Sequence, residues 1–313
     1  VMAFKVIITD GLESNGLDLI NQSGEAVDRK GIDAAQLLLE VGEYDGMIVR
    51  GRTKVTRAVF EAAKNLKVVG RAGVGVDNID LEAAKEHGVI VVNCPVATSE
   101  AVAELAMAMI FGLSRELARA DEAMKHENWD KKTLMGAELM GKTLGMIGFG
   151  RIGQLVAKYA RCMGMKVIVF DKIWFPDFVR EKGFEQFQLE ELLPQADFFS
   201  IHIPLTAESK HLLNDETFAL MKDGALVVDA SRGGVIDHAA LLRALESGKV
   251  AGAAIDVFET EPPIDWTLVK HPKVIATPHI GAQTIEAQLR AAEDIASEVM
   301  NVLEGKQARW QCA

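Results

Sequence analysis

The feature that most constrains this chain is a glycine-rich turn between an apolar segment and a helical one. Residues 142–153 read Lys-Thr-Leu-Gly-Met-Ile-Gly-Phe-Gly-Arg-Ile-Gly, so Gly148, Gly150 and Gly153 have the G-x-G-x-x-G spacing. In such a turn the first glycine permits the tight change of direction, the second lets the backbone approach a pyrophosphate, and the third lets the helix pack on the strand. Free N–H groups at the helix start would face the anion. The spacing predicts a dinucleotide site.

A second apolar strand after this helix strengthens the prediction. Residues 166–170 read Lys-Val-Ile-Val-Phe and are followed by Asp171, 18 residues after Gly153. A carboxylate at this place accepts hydrogen bonds from the ribose hydroxyls of adenosine. Because strand, helix, second strand and acid are all in register, an ordinary glycine-rich turn is a poor explanation of the pattern.

Length, charge and cysteine content narrow the class of protein. A chain of 313 residues suggests two domains, and no apolar run approaches the roughly 20 residues that a membrane span needs. The net charge of −11 repels nucleic acid and anionic membranes, so an anionic substrate would need a local basic cluster. Cys94, Cys162 and Cys312 are too widely spaced for a zinc site or a disulfide framework. We therefore expect a cytoplasmic protein without a signal peptide, a metal, or a nucleic-acid or membrane partner.

The first part of the chain alternates short apolar runs with helical segments. The predicted strands are 4–8, 46–49, 67–69 and 89–92, and the predicted helices are 34–40, 58–63 and 81–86. Alternation of this kind predicts a parallel sheet with helices on both faces. A second glycine cluster lies at residues 70–78, but it lacks the third glycine at the required offset. We interpret it as a loop for close approach to another small ligand, with Asp77 and Asn78 forming a turn and a helix cap.

A helical run after Thr98-Ser99-Glu100 has a wider apolar face than one side of a sheet requires. It extends from Ala101 to Phe111 and is followed by a polar connector that carries Trp129. The run is either a core helix or a subunit interface, and an exposed tryptophan would suit an interface. A homodimer, with a tetramer as a further option, is the oligomeric state that we expect.

Polar or small residues follow each later strand, predicted at 198–202, 225–229 and 250–255. In an open parallel sheet, ligands bind beyond the carboxyl ends of the strands, so His202, Ser231 and Asp256 should converge on the crevice of Gly148. A final helix at 285–303 spans nearly 30 Å at about 1.5 Å per residue, which is enough to return to the first domain. We predict an α/β protein of two doubly wound parallel-sheet domains. A Rossmann nucleotide-binding domain, 98–282, is inserted in a flavodoxin-like substrate domain, 1–97 plus 283–313.

An ordered set of motifs covers nearly the whole chain. They are VVGRAGVGVDN at 68–78, GKTLG at 141–145 with the glycine loop, ASRGG at 230–234, DVF at 256–258, EPP at 261–263 and PHIG at 278–281. Together they resemble the D-isomer-specific 2-hydroxyacid dehydrogenases, and most closely the D-3-phosphoglycerate dehydrogenase branch. The resemblance implies NAD-linked oxidation of a D-2-hydroxy acid, with Arg232, Glu261 and His279 as the catalytic residues.

Each of these three roles also makes physical sense alone. Oxidation at C2 requires the hydroxyl proton to leave, and histidine titrates near neutrality, so His279 is the natural base. A carboxylate such as Glu261, paired to one ring nitrogen, fixes the tautomer and stabilises the imidazolium. Arg232 has the planar fork that can grip a substrate carboxylate.

The resemblance also implies binding roles for other residues. For NAD they are Val74, Gly148, Gly150, Arg151, Ile152, Gly153, Asp171, His202, Ile203, Pro204, Ala230, Ser231, Arg232, Asp256, His279, Gly281 and Ala282. For the substrate, a phosphorylated 2-hydroxy acid, they are Arg50, Arg71, Gly73, Val74, Gly75, Asn78, Arg232 and His279. Charge patterning agrees, because Arg50, Arg52, Lys54 and Arg71 follow neighbouring strands and form a local basic cluster.

Three questions stay open at this level. Lys172 follows Asp171, and a basic residue there could tolerate the 2′-phosphate of NADP. A glyoxylate or hydroxypyruvate reductase would share the fold and the catalytic residues. An NAD-sensing corepressor would share them as well, although the sequence contains no basic run of the nuclear type.

Overall fold

The structure, a computed structural model, describes residues 4–313. The chain forms two compact units. Unit 1 comprises the chain up to Ser99 together with Ala282–Ala313, and unit 2 comprises Glu100–Gly281. Unit 1 is therefore discontinuous in sequence.

Both units are built mainly from alternating strands and helices. In chain order the elements up to the end of β5 are β1 Phe4–Ile8, α1 Ser14–Ile20, β2 Gly24–Asp28, α2 Ala34–Glu40, β3 Gly46–Val49, α3 Arg57–Ala62, β4 Val68–Arg71, α4 Leu81–Glu86 and β5 Ile90–Asn93. They are followed by α5 Ser99–Ser114, α6 Leu117–Lys125, β6 Thr143–Ile147, α7 Arg151–Cys162, β7 Lys166–Phe170, α8 Pro176–Glu181, β8 Glu185–Gln186 and α9 Leu189–Leu192. The last elements are β9 Phe198–Ile201, α10 Asp215–Leu220, β10 Ala225–Asp229, α11 His238–Ser247, β11 Val250–Ile255, β12 Val274–Ala276 and α12 Ile285–Leu303.

The sheet of unit 1 has five parallel strands in the order β2-β1-β3-β4-β5, which is the flavodoxin-like order. All four residues of β3 are buried. Alternate residues of β1 belong to two different cores, with Ile7 in one and Val6 and Ile8 in the other. The strands read as continuous apolar runs because helices cover both faces of the sheet.

Helix α12 covers one face of this sheet and begins at the residue that the sequence predicts. The Thr284 side chain caps it by accepting a hydrogen bond from the Ala287 N–H at 3.1 Å. Its buried face includes Ile295 and Val299, which pack beside Gly70 in β4. A Cβ at Gly70 would lie 2.6 Å from a methyl carbon of Val299, so this glycine makes room for the helix.

The sheet of unit 2 has seven parallel strands in the order β12-β11-β10-β9-β6-β7-β8. If β6 to β11 are renumbered 1 to 6 in chain order, their order in the sheet, starting from the β8 edge, is the Rossmann order 3-2-1-4-5-6. The strand order reverses between β6 and β9, so the crevice beyond their carboxyl ends is the switch point where ligands bind in such sheets. The two sheets confirm the predicted fold class.

Some local predictions are wrong or incomplete. The sequence reading missed β2 because it is a polar edge strand, Gly-Glu-Ala-Val-Asp, without an apolar run. It also missed α1 and α6. Asp77 and Asn78 lie in a turn, but the cap of α4 is Asp80, whose carboxylate accepts a hydrogen bond from the Ala83 N–H at 2.9 Å.

Residues 4–313 contain neither a membrane-spanning helix nor a metal-binding cluster. None of the helices there combines the length and apolar character that crossing a bilayer would require. The same residues contain no group of three or more His, Cys, Asp or Glu side chains arranged to hold a metal ion.

Candidate active site

The three glycines of the turn after β6 have different surroundings. Gly148 has a φ of 97°, and a Cβ there would lie 2.6 Å from the His202 carbonyl oxygen. A Cβ at Gly153 would lie 2.1 Å from the Gly148 carbonyl oxygen. By contrast, no described atom beyond the chain neighbours lies within 4 Å of a Cβ position at Gly150. Two glycines therefore let the loop close on itself, and Gly150 leaves open space at the start of α7.

Asp171 lies beside this loop, as the sequence predicts. Its carboxylate accepts hydrogen bonds from the Phe149 N–H at 2.8 Å and from the Ile173 N–H at 3.0 Å. The neighbouring Lys172 forms an exposed ion pair with Glu208, with 3.4 Å between Nζ and Oε1. Solvent screens the two charges of an exposed pair, so this contact holds Lys172 weakly.

The segment after β9 forms the other side of the switch point. His202 donates its backbone N–H to the Ile147 carbonyl at 2.8 Å, and its Nε2 lies 2.8 Å from the Ser200 hydroxyl oxygen. Burial lowers the pKa of His202 to about 3, so this imidazole is neutral near pH 7 and is a poor base. The Ile203 side chain packs against Gly148, and Pro204 is exposed.

The strongest catalytic arrangement in unit 2 is the pair of His279 and Glu261. Nδ1 of His279 lies 2.7 Å from Oε2 of Glu261, and about 44 % and 39 % of the two side chains are exposed. An ionised carboxylate can only accept, so Nδ1 carries the proton and Nε2 is left to exchange a proton with a ligand. Partial burial raises the pKa of Glu261, but the hydrogen bond and charge of His279, the Phe258 N–H and Arg232 outweigh it and lower that pKa overall.

Asp256 holds the segment that carries His279. Its side chain is almost fully buried, and Oδ1 accepts hydrogen bonds from the Thr277 hydroxyl at 2.6 Å and the Ile280 N–H at 2.7 Å. Oδ2 accepts another from the Gly281 N–H at 2.8 Å. His279 itself has a φ of 53°, an unfavourable conformation for a residue with a Cβ. Asp256 stabilises this conformation through the residues on both sides of His279.

Arg232 lies on the loop after β10, next to the turn that carries Glu261. Its Nη1 donates to the Ser231 carbonyl at 2.7 Å. A Cβ at Gly233 would lie 1.8 Å from the Phe258 carbonyl oxygen, so only glycine permits this approach of the two loops. In the second loop the Phe258 N–H donates to Glu261 Oε1 at 3.1 Å. The fold thus brings Arg232, Glu261 and His279 together within unit 2, with Ala230 and Ser231 buried at the start of the first loop.

The predicted substrate residues of unit 1 follow β3 and β4, which are adjacent strands. Val49 is the register partner of Arg71, and Asn78 donates its amide to the Arg50 carbonyl at 2.9 Å. A Cβ at Gly73 would lie 1.4 Å from Arg71 Nη1, so the arginine side chain covers this glycine. Val74 accepts a hydrogen bond at its carbonyl from Asn93, and Gly75 continues the same loop.

The basic cluster of unit 1 is less positive than the sequence suggests. The Arg50 guanidinium pairs with Glu13 and also contacts Gln288. Arg52 forms an ion pair with Asp10 at 3.0 Å and donates to the Thr9 carbonyl at 2.7 Å. The sequence does not reveal these two ion pairs because Glu13 and Asp10 lie about 40 residues from their arginine partners in the chain.

The sequence reading also missed residues that position the site. Thr277 and Phe258 bond to Asp256 and Glu261, and Gln288 donates its amide to the carbonyl of Ala282, a predicted cofactor residue. No signal in a single sequence identifies such contacts. Only the positions of Thr277 and Phe258 beside recognised motif residues could have drawn attention to them.

The residues of unit 2 fit a dinucleotide. The N-terminus of α7 has no side-chain cap, an arrangement that suits an anion at the start of the helix, and Gly150 keeps the approach open. Arg151 and Ile152 are the first residues of that helix and can offer their backbone N–H groups. Asp171 lies beside the loop to receive ribose hydroxyls. The donor set therefore suits a pyrophosphate and a ribose.

Comparison with known proteins agrees with this site. Residues 107–281 match the family described as D-isomer specific 2-hydroxyacid dehydrogenase, NAD binding domain. D-3-phosphoglycerate dehydrogenase of Sus scrofa is 46% identical over 303 residues, which are 96% of this chain and 57% of that protein. The chain thus spans little more than half the length of this relative.

Two solved structures are similar over nearly their whole length. A glyoxylate reductase from Paecilomyes thermophila is 30% identical with a TM-score of 0.91, and the match covers 100% of this chain and 99% of that one. D-lactate dehydrogenase from Aquifex aeolicus, complexed with NAD and lactic acid, is 31% identical with a TM-score of 0.86 and 96% coverage of both chains. The predicted cofactor, NAD, is confirmed by the matching domain, and the chain belongs to the D-isomer specific 2-hydroxyacid dehydrogenase family.

Proposed function

We propose that this protein catalyses the NAD-dependent oxidation of D-3-phosphoglycerate to 3-phosphohydroxypyruvate, the first step of serine biosynthesis, in the cytoplasm. The observation that carries the reaction type is the hydrogen bond between His279 and Glu261, 2.7 Å long, beside Arg232. The choice of substrate is supported by the 46% identity to D-3-phosphoglycerate dehydrogenase.

The His279–Glu261 pair performs the proton chemistry. The substrate hydroxyl gives its proton to Nε2 of His279, the C2–H bond breaks, and the C2–O bond becomes a carbonyl. NAD, when bound, supplies the acceptor for the hydride released from C2. Glu261 keeps the proton on Nδ1 and stabilises the imidazolium, so Nε2 remains a base until the hydroxyl proton arrives. In the reverse direction the imidazolium returns that proton.

Arg232 orients the substrate. Its planar guanidinium can grip the C1 carboxylate with two parallel hydrogen bonds, an arrangement that lysine cannot make. Gly233 brings the loop of Arg232 against the Phe258 carbonyl. The guanidinium that binds the carboxylate and the imidazole that acts as the base are therefore held in a fixed geometry. Positioning of this kind contributes much of the rate in enzymes that transfer a group between two bound molecules.

We assign phosphate recognition to unit 1. Arg50 and Arg71 lie at the carboxyl ends of neighbouring strands, and Gly73, Gly75 and Asn78 form the loop beside them. Arg50 would have to exchange its contact with Glu13 for one with the phosphate. Such an exchange is feasible because both members of the pair are only partly buried.

One observation favours a second candidate, a glyoxylate or hydroxypyruvate reductase. The ion pairs of Arg50 with Glu13 and of Arg52 with Asp10 reduce the positive charge that a phosphate would need. A reductase for a small unphosphorylated acid would not need that charge.

A single assay tests the proposal. The purified protein is given D-3-phosphoglycerate with NAD, and separately glyoxylate or hydroxypyruvate with NADH, while absorbance of the reduced cofactor is followed. We expect kcat/KM to be highest for D-3-phosphoglycerate. A preference for the unphosphorylated acids would establish the reductase instead. NAD binding without turnover of any of these acids would point to an NAD-sensing corepressor.

We also propose that the protein is a homodimer. Exposed apolar side chains surround α6 and the connector that follows it, and Trp129 is 79% exposed. Static light scattering at micromolar concentration should give about twice the chain mass of 34.0 kDa. A mass of one chain would exclude the dimer.

A further inference from the structure

The last residue of β10, Asp229, is a fully buried acid in an unusual setting. Both the N–H and the hydroxyl of Ser231 donate to its Oδ1, at 2.9 and 2.5 Å. Oδ2 is also buried, yet no residue among 4–313 forms a hydrogen bond with it. A buried carboxylate oxygen that carries charge without a donor is costly, whereas a neutral carboxyl in the same place costs much less.

The charges around Asp229 also disfavour its ionisation. Directly after the neighbouring strand β11, Asp256 is almost fully buried, and its two oxygens already receive three hydrogen bonds. On the other side, β9 leads to His202, which is neutral because burial lowers its pKa. The opposing positive charge is Arg232, on the loop that Asp229 begins. Burial is the largest cause that raises the pKa of Asp229, and the charge of Asp256 raises it further. The hydrogen bonds from Ser231 and the charge of Arg232 lower it but do not outweigh burial, so the pKa rises to about 7.

A short chain of hydrogen bonds connects Asp229 to Arg232, the residue that would bind the substrate carboxylate. Ser231 donates twice to the Asp229 carboxyl, and the Ser231 carbonyl accepts a hydrogen bond from Arg232 Nη1 at 2.7 Å. The position of Ser231 therefore fixes one nitrogen of the Arg232 guanidinium. A negative charge on Asp229 would attract that guanidinium and oppose the binding of an anionic ligand to it.

We propose that Asp229 is a positioning residue that acts as a neutral carboxylic acid, holding Ser231 and through it Arg232, and that its ionisation weakens the binding of the substrate carboxylate. The catalytic readout of this inference rests on the proposed function. The structural readout, the protonation state of Asp229, does not depend on which acid is the substrate.

The kinetic test compares Asp229→Asn with Asp229→Ala between pH 6 and 9. Asparagine keeps the acceptor for Ser231 and carries no charge, so Asp229→Asn should retain kcat within about twofold, whereas Asp229→Ala should lose about tenfold or more in kcat/KM at all pH values. In the wild type, KM for the 2-hydroxy acid should rise several-fold as the pH passes about 7. Asp229→Asn should lack this rise. An Asp229→Asn profile identical to that of the wild type, or a loss equal to that of Asp229→Ala, would overturn the proposal.

A second measurement needs no turnover. Because the folded-state pKa of Asp229 lies above its ordinary value of 3.8, the contribution of this residue to wild-type stability should fall as the pH rises from about 4 to about 7 and then level off. The difference in melting temperature between Asp229→Asn and the wild type should grow over the same interval. Asp237→Asn, a change at the partly exposed cap of α11, is the matched control and should show no such growth. A constant difference for Asp229→Asn would refute the neutral acid even if the enzyme proved to use another substrate.

Discussion

Two glycine-rich loops follow interior strands of their sheets, and they use their glycines differently. After β6, Gly150 leaves open space, and the 12-residue helix α7 begins at the next residue. After β4, the space at Gly73 is filled by the Arg71 guanidinium, and α4 begins only at Leu81. The first loop presents backbone N–H groups to a ligand, and the second presents a charged side chain.

This difference shows that the structural role of a glycine depends on which atoms occupy the space where a side chain would lie. Gly70 makes room for α12, Gly73 for an arginine and Gly233 for a neighbouring carbonyl, whereas Gly150 faces open space. The same residue type thus serves helix packing, loop contact and ligand approach. Cofactor binding belongs to unit 2, and under the proposed function proton transfer belongs to unit 2 as well and selection of the substrate to unit 1.

The largest expected effect tests the catalytic half of this comparison. His279→Ala removes the base, so kcat should fall by about 10²–10⁴, the usual contribution of a placed acid or base, for every 2-hydroxy acid that is turned over. NAD affinity, measured by fluorescence titration, should change little. A variant that keeps more than about a tenth of the activity would exclude His279 as the base.

Glu261→Gln is the companion of this variant. Because the pKa of Glu261 is lowered in the fold, the ionised carboxylate is maintained well below neutrality, and its support of His279 is lost only in acid. Glutamine cannot stabilise the imidazolium in this way. We expect a partial loss of kcat together with a shifted pH profile, and an unshifted profile would leave Glu261 without this role.

The two glycine loops can be compared by a matched pair of substitutions. Gly150 has a φ of −71°, which any residue adopts, so Gly150→Leu should fold normally but fill the approach to α7. We expect NAD affinity to fall by about 100-fold, comparable to the loss of two charge-assisted hydrogen bonds at about 1.5 kcal/mol each. The melting temperature should stay within a few degrees of the wild type.

Gly73→Leu is the counterpart in unit 1. Its Cβ would displace Arg71, and its φ of 147° is rarely adopted by residues with a side chain, so this variant should lose stability. NAD affinity of the folded fraction should remain close to that of the wild type. If Gly73→Leu weakened NAD as strongly as Gly150→Leu, the assignment of the two loops to different ligands would be wrong.

Much of the fold and the grouping of the candidate catalytic residues could be predicted because the signals are local. The glycine spacing and the apolar runs act within one turn or one strand, and the EPP and PHIG motifs contain Glu261 and His279. The polar edge strand β2 has no such signal. The ion pair of Arg50 with Glu13 and the three donors to Asp256 depend on contacts across the fold, so the charge and geometry that they determine could not be read from sequence.

A smaller effect tests the substrate half of the comparison. If Arg50 and Arg71 bind the phosphate, Arg71→Ala and Arg50→Ala should each raise KM for D-3-phosphoglycerate by about 10- to 100-fold, the loss of one charged hydrogen bond of about 1.5–3 kcal/mol. Turnover of small unphosphorylated acids should be almost unchanged. Lys54→Ala, an exposed residue of the same predicted cluster, is the control and should have little effect. Equal losses on both classes of substrate would mean that these arginines only support the fold, and the reductase would become the better proposal.

The smallest expected effect concerns the choice between NAD and NADP. The Asp171 carboxylate lies beside the glycine loop through its bond with the Phe149 N–H, where it can accept ribose hydroxyls and repel a 2′-phosphate. Asp171→Ala should therefore reduce the preference for NAD by about three- to tenfold, because an exposed charge acts through screened electrostatics. The ratio of the dissociation constants of NADP and NAD is the quantity to measure, and Lys172→Ala is the matched control.

Since Lys172 is held by an exposed contact with Glu208, it can move toward a 2′-phosphate once the Asp171 carboxylate is removed. The double variant should then regain part of the lost preference. A wild-type enzyme that bound both cofactors equally would show that Asp171 does not select between them, and Lys172 would be the residue to test first.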